Sequence, residues 1–136
     1  SLGNNASVNG NNETFVAYFF HSVEGYSKFG SYTGNGTSDG PFVYLGFRPA
    51  FLLTKRTDSG DNWRLTDSAR EPFNDAAFAG SKANATDSEG DTGNRNLDYL
   101  SNGFKVRDTD VDMNADGGIY IYMAFAEIPF KRANAR

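Results

Sequence analysis

Asp112-x-Asn114-x-Asp116-Gly117 places a side-chain oxygen at every second position, the pattern that opens a calcium-binding loop. Alternating carboxylates and amides wrap a hard cation, and the glycine supplies the sharp turn. Asp108 and Asp110 add carboxylates on the approach. The twelfth position of such a loop is Met123, however, where a bidentate glutamate belongs. A polar turn using Asp, Asn and Gly for their backbone habits is the competing reading. Calcium on Asp112, Asn114 and Asp116 is therefore the one metal the residues suggest, and no other cofactor is expected. The acidic run Asp87, Glu89, Asp91 reads as a solvated loop.

A second chemistry lies in the aromatics. Trp63 and the tyrosines at 26, 32, 44, 99, 120 and 122 offer flat faces that pack against the C–H face of a pyranose, while nearby Asp and Asn read its hydroxyls. Core or interface packing is the competing use, and the stronger one for Trp63, Tyr120 and Tyr122. Tyr26, Tyr32 and Tyr99 lie near turns and are expected to be freer. With Asp58, Asp61 and Trp63 they form the candidate ligand-binding set.

Catalysis finds less support. His21 is the only histidine and sits in an aromatic run, which suits a core or interface position. Ser and Asp are too common here for a nucleophilic triad to be argued from their presence. Asp58, Asp61, Asp67 and Glu127 include no pair whose spacing singles it out for glycoside hydrolysis. No catalytic residue is assigned, and an enzyme is not expected. The Asn-x-Ser/Thr triplets at Asn5, Asn12, Asn35 and Asn84 fit chance in a chain this rich in Asn, Ser and Thr. "GSYTGNG" lacks the Lys-Ser/Thr ending of a phosphate-binding loop.

These residues have to be positioned by a chain of 136 residues without cysteine, a length that fits one domain with its own core. Net charge is −4 with the basic residues scattered, which argues against binding a phosphate backbone. No apolar run approaches the roughly 20 residues of a membrane span, and "SLGNNASVNG" has no signal-peptide pattern. Aromatics at 15 % and 15 glycines suit short strands and turns.

Strands are predicted at 13–22, 41–47, 50–56 and 62–69, with a Gly-rich connector over 25–40. "LDYLSNGFKVRD" reads as a hairpin whose Ser-Asn-Gly supplies positive φ. "GIYIYMAFAEI" is the clearest strand. Residues 71–95 read as a long surface excursion with one helical turn near Asp75–Phe78, and 131–136 as a frayed tail. The fold class is all-β: a β-sandwich, jelly-roll or lectin-like, with long loops. Loops 26–40, 57–62 and 71–95 would present the binding side chains.

One phrase occurs twice. Setting Asn9 against Asn114 puts Phe15 over Tyr120, Val16 over Ile121, Tyr18 over Met123 and Phe20 over Phe125 without a gap. Both strands alternate apolar with apolar, so both are expected to be central, with one face on the core and the other against a subunit, a neighbouring repeat or a ligand. Residues 1–25 are then the closing strands of a preceding repeat or the first strands of the same sheet. Residues 26–130 form the sandwich domain.

The blocks around Gly34-Asn35-Gly36, "GFRPAFLLTK" (46–55), Trp63 with Asp67, Ser68 and Arg70, then Asn102-Gly103-Phe104 and "YIYMAFAE" (120–127) occur in order. In this the chain resembles a C-terminal domain of tail and tail-fibre proteins of tailed bacteriophages, many from marine and cyanobacterial hosts. The resemblance implies a virion component, a homotrimer contacting other virion subunits, and attachment to a host-surface glycan or receptor. It supplies no catalytic residues. A structural connector or decoration domain without ligand is the first alternative, and a surface-polysaccharide depolymerase the second.

Overall fold

β8 (Ile119–Ala126) organises the molecule, because an eight-residue strand that is apolar on both faces cannot be stable at an edge. It lies antiparallel between β1 (Ser27–Thr33) and β3 (Pro49–Arg56). β4 (Arg64–Asp67) and β5 (Ser81–Lys82) extend the sheet, in the order β1-β8-β3-β4-β5. A second sheet, β2-β7-β6, is built from β2 (Phe42–Tyr44), β7 (Gly103–Val106) and β6 (Leu97–Leu100). Among the described residues every strand-to-strand pairing is antiparallel, and the protein is an all-β sandwich. The computed structural model describes residues 3, 5–70, 74, 80–86 and 97–128. The helical turn expected near 75–78, the acidic run 87–91 and the tail 131–136 lie outside the described residues.

Alternation decides which side chains meet between the sheets. Tyr120, Tyr122 and Ala124 of β8 point inward with Tyr32, Leu52 and Thr54, while Ile119 and Ile121 face outward. The small sheet contributes Val43, Leu97, Tyr99, Phe104 and Val106. Phe104 joins the layers, standing edge-on to Tyr32 at 5.9 Å and to Tyr122 at 5.7 Å. Tyr32 in turn stacks on Tyr120, with ring centroids 4.9 Å apart.

Among the described residues, two single-turn helices interrupt the β architecture: α1 (Ala6–Asn9) and α2 (Val111–Asn114). Each is too short to be seen as a 3.6-residue apolar period.

Four expectations need correction. Residues 13–22 form no strand and their aromatic side chains are exposed; only the end of the stretch rests on β1, where Phe20 stacks on Phe29 at 5.6 Å and the His21 carbonyl accepts from Ser27 Oγ at 3.2 Å. The slot between β1 and β3 that it resembles is already filled by β8, so the two copies do not lie side by side. β1 lies where a connector was expected, because "SKFGSYT" carries Gly30 and polar residues that hide its strand character. A Cβ on Gly30 would stand 2.7 Å from the Tyr122 hydroxyl, so the glycine makes room for that ring. β5 lies inside the stretch read as a loop. The 100–103 hairpin forms as expected, but none of its residues has positive φ. Gly103 is required for another reason: a Cβ there would collide with the Val43 carbonyl oxygen of β2.

Candidate functional site

The sequence-predicted ligand set does not assemble. Tyr32 and Tyr99 are core residues, so neither can serve as an exposed sugar platform. The Tyr32 hydroxyl donates to the Met113 carbonyl at 2.9 Å, and burial, with Tyr120 beside it, pushes its ionisation far above the ordinary value. Proximity to turns misled here, because each tyrosine sits on the inward phase of its strand. Tyr26 is exposed and lies edge-on to Phe125 at 5.7 Å. Asp58 and Asp61 both belong to Arg56, whose guanidinium reaches them at 2.8 and 3.1 Å. That hydrogen bond holds the exposed Asp58 carboxyl below its usual range.

Trp63, 37 % exposed, lines a groove of about 280 Å³ on the outer face of the large sheet. Its neighbours there are Phe29, Gly30, Leu53, Ile121, Tyr122 and Met123. Among the described residues no carboxylate lines it, and that lining is apolar.

The calcium triad also fails to converge. α2 replaces the open loop, and helical residues two apart point roughly 200° away from each other. Asp112 is buried towards Arg64, with 3.9 Å between carboxylate and guanidinium. Asp116 is exposed beside Gly36. Asn114 is fully buried, and its amide is spent on the protein. Nδ2 donates to the carbonyls of Asp108 (2.6 Å) and Thr37 (2.8 Å) and to Asn35 Oδ1 (3.1 Å), while Oδ1 accepts from the Asn35 backbone N–H (2.8 Å). Among the described residues, no group of three or more His, Cys, Asp or Glu is placed to hold a metal. Asn114 instead staples the 34–37 turn to the end of α2. Gly34 is needed for that contact, since a Cβ there would strike the Ala115 carbonyl oxygen.

The carboxylates considered for hydrolysis are likewise engaged. Asp67 pairs with Arg70 at 2.7 Å and accepts from the N–H groups of residues 69 and 70; Glu127 pairs with Arg48 at 3.1 Å.

A different groove brings polar and aromatic groups together. Its volume is about 350 Å³, and it opens where the edge strand β1 passes the end of β2. Ser22, Glu24, Lys28 and Tyr44 supply its chemistry, and Gly25 and Gly46, both at positive φ, turn the chain around it. The Tyr44 ring is 59 % exposed. The Lys28 ammonium lies 5.1 Å from the ring centroid and donates to the Tyr44 carbonyl at 3.0 Å, which fixes a cation at the rim. Strand alternation contained the signal for Tyr44: with Val43 inward, Phe42 and Tyr44 must face out. Nothing in the sequence brought the 22–25 turn to it, because that contact joins residues of two sheets.

No helix among the described residues is long and apolar enough to cross a membrane. No curated protein and no solved structure matches the chain. Residues 1–129 match a family described as a domain of unknown function, and to that family, DUF7483, this chain belongs.

Proposed function

We propose that this domain is a non-catalytic attachment module of a virion appendage, of the phage tail-fibre type, and that it binds a host-surface glycan in the groove between the 22–25 turn and β2. The observation that carries the reading is the exposed Tyr44 ring beside Ser22, Glu24 and Lys28. A pyranose would lay its C–H face on the ring and offer its hydroxyls to the serine, the carboxylate and the ammonium. The virion context is supported by the resemblance of the ordered sequence blocks to those of tail-fibre proteins.

A scaffold role has its own support in the apolar outer face of the large sheet. Phe29, Leu53, Trp63, Ile121 and Met123 present a surface suited to packing against other subunits, as in a homotrimer. The two roles use different surfaces and are compatible.

Glycan-array binding by the intact chain and by Tyr44→Ala, with light scattering on both, tests the proposal. Binding that is lost in the variant at unchanged oligomeric state is expected. A stable protein that binds no glycan, or binding that survives loss of the ring, overturns the attachment reading.

A further inference from the structure

The sequence repeat is also a structural repeat. Asn5 caps α1 by accepting from the Ser7 N–H at 2.8 Å, and Asp110 caps α2 by accepting from the Asp112 N–H at 2.8 Å. The helical bonds correspond: Asn9 N–H to the Asn5 carbonyl at 2.9 Å, and Asn114 N–H to the Asp110 carbonyl at 2.7 Å. Asn9 Nδ2 donates back to the Gly3 carbonyl at 2.7 Å, as Asn114 Nδ2 does to the Asp108 carbonyl at 2.6 Å. Both helices leave through an extended residue, Gly10 or Ala115, and then a residue at positive φ: Asn12 at +61° or Gly117 at +70°. Every one of these pairs obeys the Asn9–Asn114 alignment.

The surroundings of the two copies differ. Asn114 is buried against the 34–37 turn, whereas Asn9 is exposed. β8 is paired on both sides, whereas residues 14–20 form no strand, with Tyr18 81 % and Phe19 92 % exposed. The opening copy has the local geometry of the closing module without its strand pairing, and touches β1 only at its end, through the Phe20–Phe29 stack.

We infer that residues 5–22 are the closing module of a preceding, diverged copy of this domain, and that residues 14–21 insert between that copy's counterparts of β1 and β3. Chain order supports a preceding copy, since the closing module is the last element of the fold and this one stands immediately before β1. Side-chain size supports divergence. The inward positions of β8 run Tyr120, Tyr122, Ala124, but their counterparts run Phe15, Ala17, Phe19. Ala124 is wholly buried, and a phenyl ring in its place would overpack the core. An identical molecule therefore does not fit the segment, but a copy with the large and small core positions exchanged does. The joined copies would form a row of sandwiches, each locked by the module that leads into the next.

The test fuses residues 23–107 of a second copy directly ahead of Gly3 of the full chain, with Ala17→Tyr and Phe19→Ala restoring the size order of β8. Hydrogen exchange at residues 15–21 is compared with that of the unfused chain carrying the same two substitutions. Slowing by roughly 100-fold or more is expected for a strand incorporated in a folded unit. Adding Asn9→Ala to the fusion should reverse much of that protection and leave residues 120–125 unchanged. Exchange at the unfused rate, whether or not the rest of the fusion folds, overturns the inference.

Discussion

Asn114→Ala and Asn114→Asp together probe the staple at the centre of the sandwich's closed end. The amide makes four hydrogen bonds, three through Nδ2 and one through Oδ1, in a wholly buried position. At about 1 kcal/mol net per bond, and with one Nδ2 hydrogen shared between two acceptors, truncation to alanine should cost about 3–4 kcal/mol. That is a large part of the about 5–15 kcal/mol that holds a domain together. Aspartate at 114 is nearly isosteric but replaces the donor with an oxygen facing two carbonyls and the Asn35 Oδ1. Its carboxylate would be both desolvated and repelled, which raises its pKa in the folded state. A raised folded pKa means that the folded form binds the proton more tightly, so the variant should gain stability relative to wild type as pH falls towards that pKa. Urea unfolding followed by Trp63 fluorescence, at neutral pH and near pH 5, measures both effects. A loss below about 1 kcal/mol for alanine, or an aspartate variant whose deficit does not shrink in acid, would refute the staple.

Three further outcomes follow from the same geometry. Phe104→Ala should cost about 3–5 kcal/mol in a denaturant titration, because the ring touches Tyr32 and Tyr122 of the opposite sheet and its removal leaves a cavity between the layers. Burial raises the ionisation of Tyr32, Tyr120 and Tyr122. The unfolded chain releases those protons near pH 10 while the folded one keeps them, so stability should fall as pH climbs above about 10. Tyrosinate formation at these three residues should then accompany unfolding, and their ionisation in the folded protein would contradict it. Leu53→Glu on the outer groove should lower the assembly state seen by light scattering while leaving the thermal midpoint of the dilute protein within a few degrees.

The elements legible in the sequence were those whose signal is local. β3, β4, the β6–β7 hairpin and β8 were each visible as an apolar run between turn residues, and the all-β sandwich followed from them. β1 was hidden because its strand character depends on what it touches: Gly30 looks like a breaker until Tyr122 lies across it. The first aromatic run was misread for the converse reason. Its pattern is that of a central strand, but pairing needs two neighbours, and β8 holds that place.

The candidate site was less legible, since it rests on tertiary contacts. Nearness to turns suggests exposure for Tyr32 and Tyr99, but strand phase places both inside. The Asp112–Asn114–Asp116 spacing falls across α2, where Asp112 turns towards Arg64, Asn114 is a buried amide and Asp116 is exposed. The Gly34-Asn35-Gly36 block acquires a physical reason only in the fold, as the turn that receives Asn114.

Residue-resolved hydrogen exchange on the intact chain compares the two copies of the closing module directly. Amides of 120–125 should exchange only through global unfolding, and those of 15–20 at nearly the rate of an unstructured peptide. Equal protection of both stretches would show that the opening copy already has its partners, and would contradict the claim that β8 alone closes this domain while the opening copy awaits another.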